Sequence, residues 1–451
     1  MEPPDGGPSR PGGSTDADMD AGPVRHASPF RNPWWIPPFL GGVPPVPPDR
    51  LRLLGLVTLG YLFEQYDLSL LSAAIRHITD DLRISIESSG FYLGLIRLGG
   101  LLAFAVLPFA DRLGRRRLFL ATLVGMSVAT LASGFAQTPM QFVAAQVVSR
   151  AFMLASVALA AVIVIEEFPA AHRGWGIGVM GAVGGMGFGL GAILFAAVDV
   201  LPYGWRALYV VGITPVLLLP LFRRQLKETA RFDAHRERRE QLGESFAVWR
   251  PIVEMARRQP RRAAVLGVVG SLQAMGMISV FSYASLFVQE VHGFEPWQYS
   301  TLILLGGGMG IVGNVVAGRL GDRFGRRWVG ILANLAFPLF ALLLYQGPTL
   351  VLWGAFAGIV FCNSAAEVVL RALAGELFET GHRSTSSGWL VLVMTLGAAG
   401  GLFLASPGAA SVVELSRVIV WLSACTALSG LCLLLLPETR HRELEEISAA
   451  P

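Results

Sequence analysis

Asp111-Arg112-Leu113-Gly114-Arg115-Arg116 recurs as Asp322-Arg323-Phe324-Gly325-Arg326-Arg327, 211 residues later in a chain of 451. Each copy lies between two long apolar runs. Two further landmarks keep that register to within one residue. Glu166-Glu167-Phe168-Pro169-Ala170-Ala171-His172-Arg173 pairs with Glu376-Leu377-Phe378-Glu379-Thr380-Gly381-His382-Arg383, and Leu226-Lys227-Glu228-Thr229 pairs with Leu436-Pro437-Glu438-Thr439. Three landmarks in one register mean two structural halves.

The apolar runs around these landmarks set the class. The chain is 53% hydrophobic and 15% charged, where a soluble protein is about 25% charged. Runs of roughly 20 apolar residues recur throughout, long enough to cross a bilayer. A soluble protein of buried helices would need polar faces, and Val210 to Phe222 has none. The net charge of +4 does not point to nucleic acid, because the arginines cluster in short loops, as membrane topology demands. Cys362, Cys425 and Cys432 all fall within apolar runs and read as small core residues. No metal-ligand spacing, disulfide framework or cofactor motif is visible.

In chain order, residues 1–50 hold 13 of the 27 prolines and read as a disordered tail. Trp34-Trp35-Ile36 is read either as an interfacial anchor or as ordinary tail. Spans 1 to 6 are expected near 51–75, 90–110, 118–136, 140–165, 175–198 and 207–222. They form a first bundle over 51–222. A connection over 223–262, rich in Arg with Glu interleaved, is expected to contain surface helices. Spans 7 to 12 are expected near 263–290, 297–318, 328–346, 349–371, 386–405 and 414–436, a second bundle over 263–437, followed by a tail over 438–451. The fold class is therefore an all-α membrane protein of twelve helices in two pseudo-symmetric bundles. Loops 2–3, 6–7 and 8–9 carry the arginines. The positive-inside rule places them, and both termini, in the cytoplasm. The short loops and absence of an organelle-type signal fit a bacterial inner membrane.

Ionisable residues within spans are costly and are functional candidates by default. They are Glu64 and Asp67 in span 1, Arg97 in span 2, Arg150 in span 4, and Glu367 and Arg371 in span 10. At ~1.5 Å per residue, Glu64, Asp67 and Arg150 fall near mid-membrane. Asp67 and Arg150 are read as a coupling pair or as a structural ion pair joining spans 1 and 4. Glu64 is read with them, as a substrate contact or a second partner for an arginine. Arg97 either neutralises Asp67 or snorkels outward, and is also a candidate substrate contact. Glu367 and Arg371, four apart on one helix, can satisfy each other and read as a self-paired inner gate before a substrate site. Gln273, Tyr283 and Asn363, on spans 7 and 10, are candidates for substrate hydrogen bonds or for ordinary interhelical ones. No histidine falls at mid-span, so any proton coupling falls to carboxylates. The glycines of span 5, from Gly176 through Gly191, let helices approach closely.

The repeated Asp-Arg-x-Gly-Arg-Arg, the two six-span halves and the long central connection resemble the major facilitator superfamily, over about residues 51–440. Within it the chain looks most similar to sugar porters and metabolite:proton symporters. Tyr66-Asp67, Arg150 followed by Glu166-x-x-Pro169-x-x-x-Arg173-Gly174, Trp205-Arg206 and Pro437-Glu438-Thr439 carry that likeness. Departures are Leu107 where the first signature has Gly, Glu379 where the second Glu-x-x-Pro has Pro, and Ser271-Leu272-Gln273-Ala274-Met275-Gly276 in place of the Gln-Gln-x-Ser-Gly of sugar porters. The missing Gly-Pro-x-x-Gly-Gly in span 5 argues against drug efflux.

The resemblance implies a non-enzymatic, monomeric secondary transporter working by alternating access. Its proton-coupling residues would be Asp67 and Arg150, with Glu64 beside them. Its cytoplasmic latch would involve Asp111, Arg112, Gly114, Arg115, Glu166, Arg173 and their counterparts Asp322, Arg323, Gly325, Arg326, Glu376, Arg383, and would stabilise the outward-open state. The substrate is expected to be a small polar metabolite, a carboxylate or a sugar, moving with protons. A drug or metabolite efflux antiporter, and a non-transporting sensor of the same architecture, are the alternatives.

Overall fold

The computed structural model describes residues 33, 35–37, 42–109, 113–169, 172–226, 249–378 and 383–438. Its regular elements there are all helical. Twelve long helices make the frame: α1 (Pro48–Ala73), α2 (Ile86–Val106), α3 (Arg115–Gly134), α4 (Pro139–Glu167), α5 (Arg173–Phe195), α6 (Trp205–Gln225), α7 (Pro260–Val291), α8 (Pro296–Phe324), α9 (Arg326–Gln346), α10 (Thr349–Glu376), α11 (Thr385–Ala405) and α12 (Val412–Leu435). Eleven are long and apolar enough to cross a membrane. The other, α1, has 26 residues. Its in-span Glu64 and Asp67, and the charges of its first turn, lower its hydropathy.

The ends of these helices follow local rules. Ser85, Thr138 and Ser411 cap α2, α4 and α12, each accepting a backbone N–H in the first turn. Proline opens α1, α4, α7 and α8, where its missing N–H costs nothing. Gly114 and Gly325 start α3 and α9 with φ of 95° and 100°, a region that disfavours any side chain. That is why the repeated motif carries glycine at its fourth place.

The repeat seen in sequence is a repeat of packing. A Cβ on Gly187 of α5 would collide with the carbonyl oxygen of Leu62 on α1, and a Cβ on Gly397 of α11 with that of Ser271 on α7. Gly191 against Ser69 and Gly401 against Ser279 repeat the match. The α1–α5 and α7–α11 pairs are thus matching backbone contacts, set by small residues. The span 5 glycines divide accordingly. Gly184, Gly187 and Gly191 meet α1, whereas Gly178, Gly181 and Gly185 have nothing within 4 Å.

The apolar core is divided unevenly. At the arginine-rich end each half has its own cluster. One contains Leu54, Val57, Phe119, Leu159 and Phe222; the other contains Leu266, Ile331, Leu373 and Leu433. At the opposite end a single cluster runs across both halves, from Leu70, Phe195 and Tyr209 to Tyr283, Tyr299 and Leu402.

Two expectations need adjusting. Ile36 and Val46 lie within the zone read as a tail, yet both are buried in the first half's cluster, and Trp35 packs on Gly55 of α1. A Pro-rich stretch with apolar residues can dock without periodicity, so its composition concealed it. The connection does hold a surface helix, Trp249–Arg258, which packs through Ile252 and Met255. The following span begins at Pro260.

Candidate functional site

The in-span charges of the first half converge from three helices, α1, α2 and α4. α2 and α4 approach through Gly99 and Gly100, whose Cβ positions face Val147 and Leu154. Val147, Arg150 and Leu154 share one face of α4 by helical spacing, so Arg150 points toward α2. Gly90, Gly94 and Arg97 likewise share one face of α2. Gly90 and Gly94 pack against Leu402 and Phe403 of α11, so that face looks toward the other half. Arg97 and Arg150 lie within each other's electrostatic field. Both are partly exposed, and neither makes an ion pair or hydrogen bond among the described residues.

Asp67 answers only part of that charge. It is 5% exposed. Thr130 of α3 donates to its Oδ1 at 2.9 Å and Ser149 of α4 to its Oδ2 at 3.1 Å. Arg150 acts on it electrostatically but not as an ion pair within 4 Å. A direct Asp67–Arg150 salt bridge is therefore corrected to a carboxylate held by two hydroxyls beside a guanidinium. Sequence reading missed Thr130 and Ser149. A hydroxyl three or four residues from a helix neighbour usually bonds its own backbone, so their roles left no pattern.

Glu64, one turn before Asp67, is fully buried. Its one polar neighbour is the Ser156 hydroxyl of α4, which lies outside good hydrogen-bond geometry to either oxygen. The two carboxylates of α1 therefore occupy different settings, one with two well-placed hydroxyl donors and a cation in range, the other with a single hydroxyl nearby and no cation.

From the second half, Gln273 of α7 is 1% exposed and both ends of its amide lack a partner. Asn363 of α10 is partly exposed and shares a face with Glu367. Arg371 donates to Glu367 at 2.5 and 3.1 Å, the self-paired arrangement expected from their spacing. Both charges act on Tyr61 of α1, so this face of α10 looks across to the first half. Tyr283 is placed elsewhere. Its hydroxyl shares a hydrogen bond of 3.1 Å with Ser89 of α2, at the contact between halves.

That contact is a seal. The Gly90 N–H donates to Ser406 Oγ at 2.9 Å, and Ser406 donates to the Glu87 carbonyl at 2.8 Å. Ser285 donates to the Ala73 carbonyl at 2.5 Å. Phe195 meets Tyr299 edge-on at 6.3 Å between centroids. Trp205 and Arg206 brace the same end within the first half, both donating to Asp81 Oδ2 at 3.0 and 3.1 Å.

At the arginine-rich end the ion pairs among the described residues join partners of the same half. Arg115 pairs with Glu166 at 3.4 Å, and Arg326 pairs with Glu376, the same link one repeat later. Arg173 Nε donates to the Phe168 carbonyl. Asp322, read as part of the latch, caps no helix among the described residues; it is exposed and pairs there with Arg326 of its own motif, at 3.7 Å, while Arg323 stacks on Phe324. The cap comes from Glu438, whose carboxylate accepts the N–H groups of Arg326 and Arg327 at 3.0 and 3.2 Å, where the helix dipole favours an anion. Asp111 and Arg112 lie outside the described residues, as does the side chain of Arg383.

A two-half helical frame, charges at mid-membrane and a seal at one end define a secondary transporter. The chain matches the Major Facilitator Superfamily over residues 57–320 and 309–451, and it belongs to that family. It is 26% identical over 384 residues to the gallate transporter of Pseudomonas putida, covering 78% of this chain and 84% of that protein. It is 25% identical over 384 residues to the benzoate transport protein of Acinetobacter baylyi, covering 76% and 80%. Its fold is similar to the inward open conformation of the xylose transporter XylE from E. coli, with a TM-score of 0.68 at 17% identity, covering 89% of this chain and 99% of that one.

Proposed function

We propose that this protein imports a small organic carboxylate together with protons. The observation that carries the reading is the Arg97–Arg150 pair: two guanidinium groups at mid-membrane, in each other's field, without a carboxylate bonded to either. An unpaired cation in a membrane is costly and is retained for function. A carboxylate is the ligand that a guanidinium fork holds best. Arg97, Arg150 and Asp67 together carry one excess positive charge, which matches a monoanion. Two relatives named for gallate and benzoate support the same chemistry. Asn363 and Gln273 would bind the polar groups on the far side of the substrate.

Coupling follows from competition for one cation. Ionised Asp67 draws on the field of Arg150; a proton on Asp67 leaves that field to the substrate carboxylate. Proton and anion therefore favour each other's binding. Glu64, on the same helix and without a cation in range, is the second carboxylate of the path. The arginine-rich loops belong in the cytoplasm by the positive-inside rule, in a bacterial inner membrane. The state described is then inward-open, with the seal on the outer side. The protein would work as a monomer, since each half supplies part of one site. Two in-path cations disfavour efflux of cationic drugs.

Counterflow in proteoliposomes tests this. Benzoate or gallate is expected to exchange, with xylose and a lipophilic cation failing to compete. Arg97→Gln and Arg150→Gln should each weaken half-saturation by about tenfold or more, equivalent to ~1.4 kcal/mol. Exchange of xylose or a cation in place of the carboxylates would overturn the substrate class.

A further inference from the structure

A cavity of about 590 Å³ opens between α3 and α6 at the arginine-rich end, away from the charges of the transport path. Its rim is Arg116, Arg117 and Arg223; its wall is Leu120, Val124 and Leu219. Arg117 and Arg223 are exposed. Arg116 donates to the Arg223 carbonyl at 2.5 Å and so fixes the two helices against each other.

The internal repeat supplies a control. One repeat later, Arg327 makes a similar brace, donating to the Leu436 carbonyl at 3.2 Å, three residues beyond the place of Arg223. At the places of Arg117 and Arg223, in the registers of 211 and 210 that the neighbouring landmarks keep, stand Trp328 and Leu433, neither of them a cation. The brace is common to both halves and serves the fold. The two extra cations belong to the first half alone, although both halves meet the same membrane face. Charge placement for topology does not require that difference.

We propose that this groove holds one anionic phospholipid of the adjoining leaflet, with the phosphate at Arg117 and Arg223 and an acyl chain along Leu120, Val124 and Leu219. The fit is one of charge and shape together. Basic pockets between membrane helices at this depth bind anionic headgroups, and each buried methylene adds ~0.8 kcal/mol. The inference rests on the membrane-embedded fold and not on the identity of the substrate.

The test uses native mass spectrometry of the purified full-length protein, stripped of lipid and then given phosphatidylglycerol or phosphatidylcholine. The wild type is expected to retain one phosphatidylglycerol at least about fivefold better than phosphatidylcholine. Arg117→Gln/Arg223→Gln should abolish that preference, whereas Arg257→Gln/Arg258→Gln, an equal loss of charge on the surface helix, should keep it. Ala121→Trp fills the groove without touching charge and should also abolish it, which covers the case of a double variant that fails to fold. Equal retention of the two lipids by the wild type, or equal loss in both arginine pairs, would overturn the proposal. Displacement of the lipid by millimolar inorganic phosphate would also overturn it, because the site would then be one for a soluble anion.

Discussion

The two ends of this molecule are built from the same repeated helices and are joined in opposite ways. At the sealed end one apolar cluster spans both halves, and hydroxyls of Tyr283, Ser285 and Ser406 bond across the divide. At the arginine-rich end two separate clusters face each other, and the ion pairs of Arg115 and Arg326 close within their own halves. The lesson is that the repeated motif stiffens each half as a rigid body, while small residues and hydroxyls decide which end the bodies share. Rocking of rigid halves about a central site is what such a division permits.

The largest effect should come from breaking the seal by volume. Gly90 meets the backbone of Leu402 and the hydroxyl of Ser406, with no room for a side chain. Gly90→Leu should hold the halves apart at this end and reduce uptake by about 100-fold, since a bistable packing tolerates no overlap. Gly354→Leu, with nothing within 4 Å, should leave uptake unchanged. Uptake assays and labelling of Asn363→Cys from each side of the membrane read both outcomes. A Gly90→Leu protein that transports normally would refute the seal.

A smaller effect should follow from removing single bonds of the seal. Tyr283→Phe loses one hydrogen bond, worth ~1 kcal/mol, and should shift the labelling of Asn363→Cys toward the sealed side by about fivefold. At the other end, Glu438→Gln weakens the cap on α9, which should lower the melting temperature by an amount matching about 1 kcal/mol and leave the labelling ratio alone. A shifted ratio would mean that Glu438 acts between halves. The smallest effect is expected from Glu367→Gln. It removes one exposed i,i+4 pair, worth ~0.5 kcal/mol or less, and uptake should change by less than about twofold.

The frame was legible because membrane helices advertise themselves by length, and because the repeat appears in three short landmarks. The Glu166 and Glu376 links were legible for the same reason, each sharing a register with an arginine motif. The in-span charges named most of the candidate site, since a charge within a bilayer is rare. What escaped was carried by residues without a chemical signature. Thr130 and Ser149 hold Asp67, and Ser89 and Ser406 close the seal, yet serine and threonine are common in membrane helices and mostly bond their own backbone. Tyr283 shows the converse: its polar tip on a cavity helix suggested substrate, and only its height along α7 places it in the seal. Asp322 was read as a latch residue because it belongs to the motif, whereas the residue that caps α9 is Glu438, more than a hundred residues away, a pairing that only the packing of α12 beside α9 reveals.

Proton movement driven by substrate, followed with a pH-sensitive dye in proteoliposomes, tests the account most directly. Wild-type protein given benzoate or gallate should acidify the lumen. Asp67→Asn should lose that acidification while retaining exchange of the same carboxylate in counterflow, because the arginines that hold the anion remain. Acidification persisting in Asp67→Asn, or carboxylate uptake without any proton entry in the wild type, would contradict it and return Asp67 to a structural role beside Thr130 and Ser149.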